Sequence, residues 1–172
     1  IYFYIPMGDY NREENVRREA FNQYISGGFS GLIMNEIREK NSMAYTAYGF
    51  ASSRGLPGAQ TYFSGYIGTQ NDKAVDAIDL YMKLLTDMPE RPGRIDNIKS
   101  YLRQSALTDH PDSRNLSLRI AEWKRRGYTD DPAKVELPLI DSLTFPDIVD
   151  YYQKNIKGKP IIIGVLGNPK DI

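Results

Sequence analysis

Apolar residues recur along the chain with two periods, and the switches between them mark its elements. Ile1-Tyr2-Phe3-Tyr4-Ile5 alternates β-branched and aromatic residues and predicts a strand, ended by Pro6 and Gly8. From Asn11 to Ser26 the period lengthens: Val16, Ala20, Phe21 and Tyr24 fall on one helical stripe, which Gly27-Gly28 breaks. A second helix is expected from near Ser30, through Leu32, Ile33, Glu36 and Ile37, to between Arg38 and Asn41. Ala44 to Ser53 and Gln60 to Gly68 read as strands around the turn Arg54-Gly55-Leu56-Pro57-Gly58, a hairpin. Alternation places Tyr45, Ala47 and Gly49 on one face, with Ala44, Thr46, Tyr48 and Phe50 on the other, so Tyr45 and Tyr48 point oppositely.

The second part of the chain reads mainly as helices. Asn71 or Asp72 is expected to cap one that carries Val75, Ile78, Tyr81, Met82 and Leu85 on a stripe. Met88-Pro89 to Pro92-Gly93 punctuates, and Ile95, Ile98, Leu102 and Ala106 mark the next helix. Asp112 or Ser113 should cap another, with Leu116, Ile120 and Trp123 as its apolar face and Gly127 as its stop. Lys124, Arg125 and Arg126 sit in its last turn, where cations suit the helix dipole. Residues 128–139 read as a surface loop. Thr144 and Asp147 form a capping box for a helix through Ile148, Val149, Tyr152 and Ile156, ended by Gly158. Ile161 to Leu166 is an unbroken apolar run and predicts a buried strand, central in its sheet. The order β-α-α-β-β-α-α-α-α-β indicates an α+β fold, a largely antiparallel sheet with helices packed on one face. Residues 1–172 read as one such domain.

Composition narrows the function. Lys+Arg and Asp+Glu both number 22, so the chain lacks the cation surplus that polybasic nucleic-acid binding needs. No apolar run approaches the roughly 18 residues that span a bilayer, and cellular localisation has no signal in the residues. Without cysteine there is no thiol nucleophile and no zinc–thiolate site, and one histidine, His110, rules out a two-histidine metal site. His110, in Asp109-His110-Pro111-Asp112, reads as an exposed loop residue rather than an acid/base. Gly27-Gly28-Phe29-Ser30-Gly31 lacks the Lys-Ser/Thr of a phosphate loop and follows a helix, so it reads as a tight helix–helix connection. The chain starts at Ile1 without a Met and stops just after an apolar run, and both ends read as cuts in a longer chain.

One stretch carries more. From Gly27 to Gly49 the chain reads GGFSGLIMNEIREKNSMAYTAYG: a Gly-containing turn, a helix ending in Arg38-Glu39-Lys40, and Tyr45 seven residues after Arg38. This resembles the insulinase/pitrilysin family of zinc metallopeptidases, the inverzincins, and specifically their zinc-free C-terminal half. The hairpin, the helix after Asp72 and the segments LTFPDIVDYY and PIIIGVLG extend the likeness over most of the chain. The resemblance implies a clam-shell of two homologous α+β halves, one with a His-x-x-Glu-His zinc site. No such motif occurs here, so zinc is expected in a partner half, in the same longer chain or another subunit, and this chain alone is expected to be inactive. By the same resemblance Arg38 would bond a substrate carbonyl and Tyr45 would help hold the oxyanion of the tetrahedral intermediate. A peptide would be held partly by strand addition to a sheet edge. Taken without the resemblance, Arg38 is a cation at a helix C-terminus and Tyr45 a sheet-packing residue. The alternatives are a non-catalytic assembly or peptide-recognition module on the same fold, and an unrelated α+β small-molecule binder.

Overall fold

The computed structural model describes residues 1–109 and 111–167, so His110 lies outside the described residues. Strands β1 (Tyr2–Asp9), β2 (Thr46–Ser52), β3 (Gln60–Gly68) and β4 (Ile162–Gly164) form an antiparallel sheet ordered β2-β3-β1-β4. The helices are α1 (Asn15–Ser26), α2 (Ala74–Thr86), α3 (Ile95–Thr108), α4 (Leu116–Arg125), α5 (Pro132–Ser142) and α6 (Phe145–Asn155), with a π-helix at Met34–Lys40.

Alternation divides the sheet into two unlike faces. Phe3, Ile5, Ala47, Ala51, Phe63 and Ile67 are buried under helices, while Tyr2, Tyr48 and Phe50 on the other face are exposed. The core joins the layers through rings: Phe3 stacks on Tyr81 of α2 at 4.1 Å between centroids, and Phe21 of α1 meets Phe63 edge-on at 6.4 Å. Room for Tyr81 comes from glycines. A Cβ on Gly65 would stand 2.0 Å from the Tyr81 hydroxyl, and one on Gly49 would stand 2.4 Å from it. That hydroxyl reaches over both and donates to the Tyr48 carbonyl at 2.9 Å.

Several expectations are met closely. The hairpin pairs Thr46 with Gly68 through Ser52 with Tyr62. The capping box forms, with Asp147 Oδ2 accepting from Thr144 N at 2.9 Å and from Thr144 Oγ1 at 2.6 Å. Others are corrected. Pro6 does not end β1 but pairs with Tyr62. Ile1 exchanges two backbone hydrogen bonds with Ile67, so odd residues point their N–H groups at β3 and even ones point away. On that other side β4 reaches only Tyr2–Tyr4, so Pro6 sacrifices no ladder bond. The buried stripe of α2 is Ala74, Ala77, Tyr81, Leu84 and Leu85, and Val75 faces solvent; Lys73, not Asn71 or Asp72, holds the N-cap position, after a 3-10 turn over Asn71–Lys73.

The stretch read as a loop contains α5. Asp131 accepts from Ala133 N at 2.9 Å, and Pro132 occupies the first turn, where its missing N–H costs nothing. Pro138 within this helix disguised it. Asp112 does accept from Asn115 N at 2.8 Å, but α4 starts only at Leu116 and buries none of its residues: Leu116 and Ile120 are exposed and Trp123 half-buried. β4 is not central. It is an edge strand, paired only with β1 and exposed at all three residues.

Candidate functional site

The site is assembled where the π-helix hands over to β2. Ile37 anchors that helix in the core, and Glu36 ties its outer side down. Lys40 Nζ donates to Glu36 Oε1 at 2.9 Å, Arg91 pairs with the same oxygen, and Asn41 Nδ2 donates to the Glu36 carbonyl at 2.7 Å. Burial works to raise the Glu36 carboxyl, but the hydrogen bonds and charges of Lys40 and Arg91 outweigh it and hold the group below its ordinary value. Arg38 follows in the last turn, with its side chain 43% exposed and its Nε 3.7 Å from Glu39 Oε1. An exposed pair at that distance leaves the guanidinium free to take another acceptor.

The chain then reverses at Ser42, the one described non-glycine residue with positive φ, at 51°. Holding a serine there costs about 1 kcal/mol, and neighbouring groups offset it. Ser42 N bonds the Arg38 carbonyl at 3.0 Å and Met43 N the Ile37 carbonyl at 2.9 Å. From the segment after β3, Lys73 Nζ donates to the Ser42 carbonyl at 3.1 Å and Thr69 Oγ1 donates to the Met43 carbonyl. Tyr45 N bonds the Gly68 carbonyl at 3.1 Å, which starts the hairpin ladder.

The result is a concavity of 430 Å³ lined by Arg38, Glu39, Tyr45, Gln70, Lys73 and the Ser42–Ala44 turn. Arg38 and Tyr45, singled out in the sequence, therefore share one surface. Tyr45 lies just before the first paired residue, Thr46, and is 76% exposed. The wall offers two fixed-sign donors in Arg38 and Lys73, one neutral donor in the Tyr45 phenol, and one carboxylate in Glu39. Such a set can bond carbonyl oxygens and developing negative charge. Sequence reasoning did not find Thr69, Gln70 or Lys73. Their signal was the hairpin register, which sets Gly68 opposite Thr46 and so carries the next residues alongside the Ser42–Tyr45 turn.

The other candidates are structural. Gly31 closes a tight connection: a Cβ there would stand 2.7 Å from the Ser26 backbone. Further along the outer edge of β2, Gly49 N bonds Ser26 Oγ at 2.8 Å while Ala51 bonds Asn22 through both its N–H, at 2.7 Å, and its carbonyl, at 3.0 Å. Among the described residues no group of three or more His, Cys, Asp or Glu could hold a metal, and no helix is long and apolar enough to cross a membrane.

The antiparallel sheet with helices packed on one face is an α+β fold. A family model described as the peptidase M16 inactive domain matches residues 1–99, more than half of the chain, and the chain belongs to that family. No curated protein matches it. Among solved structures, the peptidase M16 inactive domain from Pseudomonas fluorescens aligns with a TM-score of 0.75 at 16% identity, over 93% of this chain and 38% of that one. The inactive peptidase domain of a protein assigned as a zinc protease, from Bordetella parapertussis, aligns with a TM-score of 0.64 at 12% identity, over 94% and 92%. A chain of complex III2 from Candida albicans, with Inz-5 bound, aligns with a TM-score of 0.61 at 14% identity, over 94% and 41%. At these identities the likeness is one of fold. The chain spans 38% of the length of the Pseudomonas structure.

Proposed function

We propose that residues 1–172 act as one domain, the zinc-free half of a two-half zinc metalloendopeptidase. In this reading Arg38 bonds a backbone carbonyl of a peptide substrate, and Tyr45 donates to the oxyanion that forms as the scissile carbonyl becomes tetrahedral. The observation that carries it is the shared concavity: two exposed donors of the right kinds, on one wall, held by a turn fixed at both ends. Arg suits the first task because its several N–H groups keep their charge at any working pH. A phenol suits the second because it donates without adding a charge before the oxyanion exists. Zinc does not fit the residues of this chain, which has one histidine and no cysteine. The metal belongs to the other half, and no step at it is assigned to residues here.

The chain alone should neither bind zinc stoichiometrically nor cleave peptides, and a zinc-bearing M16 half should cleave faster when this chain is added. Stoichiometric zinc on this chain, or cleavage by it alone, contradicts the proposal. A second reading, a non-catalytic assembly module, is favoured by the recurrence of the fold in a chain of complex III2. In that case adding the chain leaves cleavage unchanged.

A further inference from the structure

Four cations surround the Arg38 concavity, and three of them have carboxylate partners. Lys40 and Arg91 pair with Glu36, and Arg38 has Glu39 at 3.7 Å. Lys73 is the fourth, and among the described residues it makes no ion pair; its Nζ donates to the Ser42 carbonyl at 3.1 Å. It is half-buried at the N-cap position of α2, an end of a helix where the dipole disfavours a cation. Asp72 and Asp76 are its neighbours in sequence, yet neither lines the concavity. An ammonium carries three N–H donors, and the Ser42 bond engages one. The lining thus holds two cations, Arg38 and Lys73, against one carboxylate, Glu39, and presents a net positive wall to a guest. A volume of 430 Å³ is in the range of small-ligand sites and leaves room beyond a single carbonyl contact.

We propose that Lys73 makes the concavity selective for peptides that bring a carboxylate to it, from an Asp or Glu side chain or from a free C-terminus. The inference rests on the function proposed above and adds the class of substrate. In that reading Arg38 and Tyr45 act on backbone oxygens, which every peptide has, so neither distinguishes one sequence from another. Lys73 does. Glu39 offsets the charge of Arg38, which leaves the ammonium as the group that decides. The Ser42 carbonyl holds one of its N–H groups, and a carboxylate accepts from the other two. The lysine is therefore ordered before the guest arrives, and little side-chain freedom is lost on binding. A Gln side chain has the shape of Glu without the charge. A Lys side chain would meet two like charges, which turns attraction into exclusion.

The test titrates the isotope-labelled full chain with short peptides and follows the backbone amide signals of Ser42, Met43, Tyr45 and Gln70. Three peptides share one sequence: a central Glu with an amidated end, a central Gln with an amidated end, and a central Gln with a free C-terminus. At low salt the Glu peptide should bind about fivefold more tightly than the amidated Gln peptide, as an accessible ion pair gives, and high salt should close the gap. Tighter binding of the free-ended Gln peptide than of the Glu peptide assigns the carboxylate to the C-terminus, and the reverse order assigns it to a side chain. Lys73→Glu should bring the ratio to one or below, and Lys73→Arg should keep it. A lysine that only braced the turn would weaken all three peptides alike and leave the ratio unchanged. Equal affinities for the three peptides, no response at these four residues, or a ratio that Lys73→Glu does not move would overturn the inference. A carboxylate preference lost in Lys73→Glu, with cleavage by a zinc-bearing M16 half unchanged on adding the chain, would overturn only the proposed catalytic role.

Discussion

At one edge of the sheet, β2 has its outward groups at Gly49 and Ala51 taken up by Ser26 and Asn22 of α1. At the other edge, β4 leaves Ile162 60% and Ile163 38% exposed, with no further strand beside it among the described residues. Along β2 the edge is thus closed at Gly49 and Ala51 by the fold's own side chains, and at β4 it is not. Unguarded edges invite pairing, and folds usually blunt them with charges, bulges or a covering element.

The comparison can be broken first at its centre. Gly49→Ala would press a methyl to 2.4 Å from both the Phe63 ring and the Tyr81 hydroxyl, in a part of the core with no space to yield. A loss of about 3 kcal/mol is expected in denaturant unfolding. Asn22→Ala opens the β2 edge at Ala51 by removing both of its bonds there. The buried N–H and carbonyl left unpaired should cost about 2 kcal/mol, with faster amide exchange at Ala51 than at its neighbours.

Acid should act on the turn next to the site. The Glu36 carboxyl titrates below its ordinary value in the folded chain, so its contribution is complete above the unfolded value, near 4.5, and is lost as pH falls through the lower folded one. Glu36→Gln should cost about 1 kcal/mol at pH 7 and remove part of the acid dependence of unfolding. The smallest effect belongs to the open edge. Ile163→Lys should change stability by less than about 0.5 kcal/mol and reduce self-association at high concentration. A large destabilisation there would show that β4 is covered after all.

Local chemistry made much of the fold readable. The hairpin followed from two alternating runs around a Gly/Pro turn, and the last helix from the Thr144–Asp147 box, because both depend on neighbours in sequence. What depended on distant partners was misread. The run at Ile161 to Leu166 has the composition of a strand buried on both faces, and only the uncovered surroundings of β4 show otherwise. Two prolines concealed α5, although Asp131-Pro132 is a helix start. Pro6 survives in β1 because of which way its nitrogen points, and that depends on register. At the site, the Arg38–Tyr45 spacing drew attention, but the left-handed Ser42 and its ties to Thr69 and Lys73 have no periodic signature.

The central claim is that Arg38 and Tyr45 act on substrate bound between two halves. It is tested most directly by turnover of the assembled peptidase carrying Tyr45→Phe or Arg38→Ala. Loss of one aimed donor should lower kcat about 100-fold, with zinc content, assembly and the unfolding transition unchanged. Turnover within twofold of the wild type in both variants would contradict it and leave the two residues as a strand-end tyrosine and a helix-end cation.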